Sequence, residues 1–229
     1  MTWGAKYKTE WTDIIGLDWK IEIEEDPFTD PPTVMQATGD PLRISFLTNS
    51  DNLVENPIKG STAEFSVYSD TNFQWLDIFS SYDLQKRVSI YYNDGGDTLY
   101  WRGFITPGQY SEPYDGIAYP VTISANDALG YLKNLPFEWK DAPFTGRRFE
   151  SQIILDILYK IQVLAFTEGV NIYEAGMAST AASSPFDQQK IDVDVFLGMN
   201  CYQVLEHLLR KYNAVIRQMA GVYIIYRPT

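Results

Sequence analysis

The sequence predicts a mainly β protein: a barrel-like or sandwich-like β domain followed by a smaller α+β domain. Three observations carry this. Aromatic residues make up 15% of the 229 residues, with 16 Tyr and 6 Trp, and aromatic side chains favour pleated, half-buried surfaces. Short apolar and polar residues alternate with period two between clusters of Gly, Pro, Asn and Asp. Long apolar stripes at helical spacing begin only after residue 150.

The centre of the β domain is Lys86–Pro107, KRVSIYYNDGGDTLYWRGFITP. Two strand-like runs flank Asn93-Asp94-Gly95-Gly96-Asp97, whose residue types suit a tight reversal, so the stretch reads as a β-hairpin. Before it, Leu17–Glu24 alternates strictly and its odd-numbered residues are expected to face a core. Asp26–Pro32 is a break, Leu42–Leu47 a second strand, and Asn49–Pro57 a polar loop. Ser61–Ser69 is a third strand with Ala63, Phe65 and Val67 inward, and Asn72–Ser80 reads as a short helix. After the hairpin, Ile117–Ser124 is a strand in which Pro120 implies an edge or a bulge. Asn126 is expected to cap a short helical turn through Leu129 and Leu132.

A first domain is therefore expected over residues 1–135, a linker over 136–148 (PFEWKDAPFTGRR) and an α+β domain over 149–229. The second domain should hold a helix near Ser151–Phe166, with Ile153, Ile154, Ile157, Leu158, Ile161, Leu164 and Ala165 on one stripe. A strand over Lys190–Phe196 should follow. Asn200 and Gln203 then form a capping box for a second helix. Two strands joined at Ala220-Gly221 close the chain.

The net charge of -12 and the lack of any basic run argue against binding a nucleic-acid backbone. A single cysteine excludes an internal disulfide framework. The first 25 residues carry charges throughout and no apolar core of a signal peptide. The apolar runs fall short of the roughly 20 residues that a membrane-spanning helix needs. A soluble protein made in the cytoplasm is the expectation.

No catalytic, cofactor-binding or metal-binding residue emerges. His207 is the only histidine, and it lies six residues beyond Cys201, on another side of a helix, so the two form no nucleophile–base pair. Cys201, in a first helical turn, reads either as a thiol activated by the helix dipole or, more simply, as a small apolar filler. Asp192 and Asp194 share a strand face opposite Ile191, Val193 and Val195, which fits a solvated face better than a glycosidase pair. Asp94 and Asp97 flank two glycines but lack the alternating ligands of a calcium loop. Trp75, Trp101, Tyr114 and Trp139 leave a carbohydrate-binding β-sandwich module for cell-surface glycans as the alternative function, set against burial in a core or interface.

The ordered segments WGAKYKTEW, LDWKIEI, GDPLRISF, IKGSTAEFSVYSDTNFQWLDIFSSYD, YWRGFITPGQYSEPY, YPVTISANDALGYLKNLPF, NCYQVLEHLL and AVIRQMAGVYIIYR carry a further signal. Their pattern resembles the N-terminal part of phage and prophage tail proteins of the baseplate-hub or tail-associated type, in particular those of gut Bacteroidales elements. The matching motifs are Lys59-Gly60-Ser61 before a strand, W-x-G-F-x-x-P at Trp101–Pro107, and N-D-x-L-x-x-L at Asn126–Leu132. The resemblance implies a structural, non-enzymatic virion tail component, assembled in the bacterial host cytoplasm. It also implies a homo-oligomeric ring, typically a trimer, contacting tail proteins such as the tail tube or distal tail protein, with no cofactor. The residues expected at assembly interfaces are Trp101, Arg102 and Tyr110 around the hairpin, and Tyr114 and Trp139 near the domain junction.

Overall fold

The computed structural model of the chain describes residues 2–46, 56–70, 73, 75–108, 116, 118–138, 146–179 and 184–228. The chain is mainly β and divides into two compact units, Met1–Phe46 with Ser61–Asp127, and Leu47–Gly60 with Ala128–Thr229. This differs from a single boundary at 136–148. The excursion at 47–60 belongs to the second unit because its short strand joins that unit's sheet.

The first unit contains β1 (Gly4–Thr12), β2 (Asp18–Glu25), β3 (Thr33–Val34) and β4 (Ala37–Phe46). The chain leaves it to form β5 (Ile58–Lys59) and returns as β6 (Ser61–Ser69), β7 (Arg87–Asn93), β8 (Asp97–Ile105) and β9 (Tyr119–Asn126). Eight of these strands form one sheet in the order β3-β1-β2-β7-β8-β9-β6-β4. The expected alternation holds: Ile21, Ile23, Ala63, Phe65, Val67, Val88 and Ile90 are all buried in one cluster with Tyr7, Met35, Trp101 and Ile123. That cluster draws on strands from the middle and both ends of the sheet, so the sheet curls around a single core.

The two edges of the sheet are neighbouring stretches of chain. Thr33 and Val34 pair with Tyr7 and Lys8 of β1, while Ala37 pairs with Val67 of β6. Between them the Met35 N–H donates to the Lys8 carbonyl at 2.7 Å, and the Tyr68 N–H donates to the Gln36 carbonyl at 2.9 Å. Met35 and Gln36 thus carry the chain from one edge to the other. No ladder between β3 and β4 closes the sheet among the described residues, so the closed form of the expected barrel is replaced by a curled sheet whose edges are bridged by one corner.

Two local expectations change. Asn126 ends β9 instead of capping a helix, because its backbone pairs with Thr62 and Phe104 and its side-chain amide donates to Thr106 Oγ1 at 3.1 Å. The short 3₁₀ turn, Gly130–Asn134, begins after Leu129 with no side-chain cap. Pro120 behaves as an edge residue: β9 pairs with β8 only at Asn126 and Ala125, so no β8 neighbour stands beside the proline.

The second unit adds β10 (Arg147–Phe149), α1 (Glu150–Tyr159), β11 (Phe166–Gly169), α2 (Pro185–Gln188), β12 (Lys190–Asp192), α3 (Cys201–Lys211), β13 (Val215–Met219) and β14 (Val222–Tyr226). Its larger sheet runs β11-β14-β13-β5, and β10 pairs with β12. The Ile216 N–H donates to the Pro57 carbonyl at 2.8 Å, and Ile58 is buried beside it. α1 is shorter than its apolar stripe suggests. Gln162 takes a positive φ and Leu164 is exposed, so only Ile153 to Ile161 pack inward. The Asn200 capping box is present, with Gln203 N–H to Asn200 Oδ1 at 2.9 Å and Asn200 N–H to Gln203 Oε1 at 3.0 Å. Glu150 is buried in the first turn of α1 and accepts from Tyr212 Oη at 2.9 Å and Lys211 Nζ at 2.8 Å, tying α1 to the end of α3.

The strand expected over Lys190–Phe196 stops at Asp192, and Val193–Phe196 is a 3₁₀ turn. Val193 and Phe196, three residues apart, are both buried whereas Val195 is exposed, which is the spacing of a 3₁₀ turn and not of a strand.

Candidate interaction surface

Register places an aromatic row at one end of the curled sheet. Trp11 of β1 pairs with Trp19 of β2, which pairs with Tyr92 of β7. Register partners share a face, so the three rings lie side by side. A bulge between Ile90 and Tyr91 lets Tyr100 of β8 join them. The Trp11 and Trp19 rings are nearly parallel, 10° apart with centroids separated by 6.4 Å. Tyr100 meets Trp19 edge-on at 5.3 Å and Tyr92 at 6.1 Å. Trp11, Trp19, Leu42, Ile44 and Tyr100 are only partly buried and sit against the core. With Asp13 and Pro41 they line an open hollow of about 400 Å³.

A second hollow of about 460 Å³ adjoins Trp11 and Trp19 and is lined by Glu10, Thr12, Asp18, Lys20, Asn93 and Asp97. Lys20 Nζ is held by Asp97 at 2.5 Å and Glu22 at 3.0 Å. The Thr12 hydroxyl donates to Asp18 at 2.6 Å. The two linings hold four carboxylates, Glu10, Asp13, Asp18 and Asp97, and one ammonium group, Lys20, while Lys8 reaches Glu10 from outside the linings at 3.3 Å.

Between these strands the turn Asp13–Leu17 is held by one side chain. Asp13 Oδ1 accepts from the Ile15 N–H at 2.9 Å and the Leu17 N–H at 3.0 Å, and Oδ2 accepts from Trp19 Nε1 at 3.0 Å. These bonds, led by that of Trp19, keep the Asp13 carboxyl below its ordinary range. Gly16 supplies the positive φ of 85° that the reversal needs. The result displays Ile14 fully exposed and Ile15 at 81% exposure.

Elsewhere on the sheet, charge is paired. Glu24 accepts from Arg87 Nε at 2.8 Å and also contacts its Nη2, with the guanidinium 4.7 Å from the Trp3 ring centroid. Glu25 binds Lys6 at 3.0 Å and also Lys86. Burial opposes ionisation of Glu25, but hydrogen bonds and charge from Lys86 and Lys6 outweigh it and hold the carboxyl below its ordinary value.

The expected interface residues divide. Trp101 lies wholly inside the core, so its side chain has no exposed surface, and its indole N–H donates to Ser61 Oγ at 2.9 Å. Arg102 is half-buried on β8 with its Nε donating to Ser89 Oγ at 3.1 Å. Tyr110, Tyr114 and Trp139 lie outside the described residues, as does the side chain of Trp75. Asp94 sits in the hairpin turn and Asp97 opens β8 against Lys20.

The groups weighed for chemistry are accounted for by structure. Cys201 is buried, and burial pushes its thiol up despite the helix N-terminus; Lys160 acts in the other direction. His207 is exposed and meets the Phe196 ring edge-on at 5.6 Å. Asp192 and Asp194 are exposed. Among the described residues no cluster of three or more His, Cys, Asp and Glu is placed to hold a metal ion. No helix among them is long and apolar enough to cross a membrane.

One site was missed by sequence reasoning. Ser61, Trp101 and Asp127 form a buried hydrogen-bonded knot, with Ser61 Oγ accepting from Trp101 and donating to Asp127 Oδ2 at 2.8 Å. A side chain at Gly103 would place its Cβ 2.2 Å from the Trp101 ring and 2.3 Å from the Asn126 carbonyl oxygen. The signal was present, because the K-G-S, W-x-G-F and N-D-x-L segments each contribute a member. Nothing in their spacing showed that they meet.

No family model matches the sequence, and no curated protein matches it. Its structural neighbours are phage and prophage tail proteins. One is the tail protein from Neisseria meningitidis MC58, with 11% identity and a TM-score of 0.49 over 90% of this chain and 50% of that one. Another is prophage tail protein gp18 from Listeria monocytogenes EGD-e, with 15% identity and a TM-score of 0.40 over 84% of this chain and 45% of that one. The chain spans about half the length of each. At these scores the likeness decides neither activity nor partners.

Proposed function

We propose that the chain is a structural component of a phage tail tip or baseplate hub, or of a related injection apparatus, acting by oligomeric ring assembly and not by catalysis. The observation that carries this reading is the convergence of the tail-type motif segments. Ser61 of K-G-S, Trp101 of W-x-G-F-x-x-P and Asp127 of N-D-x-L-x-x-L meet in one buried hydrogen-bonded knot. That the segments resembling tail proteins meet in the core of the first unit, and not around a reactive group, supports a role through shape and contact. The two neighbours' names agree with the reading, which does not rest on them.

Its interfaces would be β surfaces and exposed apolar groups, with Arg102, Tyr110, Tyr114 and Trp139 as candidates. Negative-stain imaging of the concentrated protein tests this. Rings of three or six copies with a central opening are expected, and a field of single particles of the 26.2 kDa chain would contradict it. The near-parallel Trp11 and Trp19 rings favour the second reading, a glycan-binding module. That reading expects a monomer whose indole fluorescence changes on titration with oligosaccharide.

A further inference from the structure

We propose that the mouth of the curled sheet, with the Ile14–Ile15 tip beside it, is a docking site for a peptide segment of another protein that carries an apolar anchor flanked by Lys or Arg. The inference concerns the first unit alone and stands apart from the tail reading.

The tip is built for contact. Two adjacent aliphatic side chains at a turn apex are exposed although nothing in the local fold requires apolar residues there. The turn beneath them is fixed: the Asp13 N–H donates to the Leu17 carbonyl at 2.9 Å, the Gly16 N–H donates to the Asp13 carbonyl at 3.1 Å, and Asp13 Oδ1 holds two further amides. A surface ordered in advance loses little conformational entropy on binding. Asp13 also bonds Trp19 Nε1, so the same carboxylate positions the tip and the wall of the hollow.

The hollow supplies the complement. Its lining joins half-buried Trp11, Trp19 and Tyr100 to Leu42 and Ile44, with about 400 Å³ between them. That is space for one or two apolar side chains, and such amphipathic rings recur at the centres of interfaces.

Charge selects the occupant. Glu10, Asp13, Asp18 and Asp97 ring the two hollows, and with Glu22 they outnumber the two lysines that pair with them, Lys8 on Glu10 and Lys20 on Asp97 and Glu22. A second copy would bring the same acidic rim against this one, in a chain of net charge -12, and like charges face to face disfavour it. An anionic membrane is disfavoured for the same reason. A basic-flanked peptide meets both the apolar hollow and the rim.

The test uses an array of twelve-residue peptides, each with a central pair of aliphatic or aromatic residues flanked by two Lys/Arg, two Asp/Glu or two Ser. The full chain and its Ile14→Ser/Ile15→Ser variant are both applied, with unchanged thermal melting confirming that the exposed substitutions leave the fold intact. The wild type should retain basic-flanked peptides on the order of tenfold better than acidic-flanked ones, a gap of about 1.4 kcal/mol. The variant should lose that binding, and the wild-type preference should weaken with salt. Equal retention of all three sets, or unchanged binding by the variant, overturns the proposal. So does a fluorescence response to phosphatidylcholine vesicles or oligosaccharides but not to the peptides, or a concentration-dependent self-association that the variant abolishes.

Discussion

Ser61 and Asp127 hold each other by three hydrogen bonds: Asp127 Oδ2 accepts from the Ser61 N–H at 2.6 Å and the Ser61 hydroxyl at 2.8 Å, and the Asp127 N–H donates to the Ser61 carbonyl at 3.1 Å. Ser61 is where the chain re-enters the first unit and Asp127 is where it leaves. Both are buried. The pair clasps the two ends of that long segment and presents one oxygen to Trp101.

Asp127→Ala should therefore be costly. It leaves a buried amide and a buried hydroxyl without their acceptor, a loss of about 3 kcal/mol. Thermal melting should fall by roughly 10 °C for a chain of this size. Ser61→Ala, which keeps the amide bond to Asp127, should cost less.

Gly103→Ala should be worse than either. Its Cβ would meet the Trp101 ring and the Asn126 carbonyl well inside contact distance, and neither is a flexible group. Little folded protein is expected by circular dichroism. Trp101→Ala should lose about 3–5 kcal/mol in denaturant titration through the cavity it leaves, which is a core effect and not an interface effect.

Glu168 gives the stability a pH dependence. Burial first, then the negative charge of Asp187, raises its carboxyl from 4.5 to about 7. The folded state thus holds the proton more tightly than the unfolded chain. Protonated Glu168 is tolerated at low pH, and stability falls as pH rises from about 4.5 to 7. Glu168→Gln should flatten that part of the stability profile and raise stability above pH 7, measured by denaturant titration at several pH values.

Cys201 should be slow towards a thiol reagent in the native state, because it is buried and its thiol is pushed up. Reaction should become rapid once denaturant unfolds the chain. Rapid native reaction would mean that the start of α3 opens readily.

Local patterns carried the elements whose partners lie close in sequence. The β7–β8 hairpin was readable from its turn residues, β2 and β6 from alternation, and α3 from Asn200 and Gln203. What escaped depends on distant partners. Ile58–Lys59 is a strand only because β13 accepts it in parallel, and Met35–Gln36 is a corner only because two sheet edges converge there. Lys190–Phe196 alternates, yet burial of Val193 and Phe196 is better met by a 3₁₀ turn. The interface expectation on Trp101 followed from its position at the border of the hairpin. The bulge at Ile90/Tyr91 and the space left by Gly103 turn it into the core instead. The aromatic row needed the registers of β1, β2 and β7 together, which no single segment encodes.

The central claim is structural assembly, and the mass of the purified protein by light scattering over a concentration series tests it most directly. The account predicts a homo-oligomer, in the first instance three copies of the 26.2 kDa chain, persisting on dilution. A single-chain mass at every concentration would contradict it.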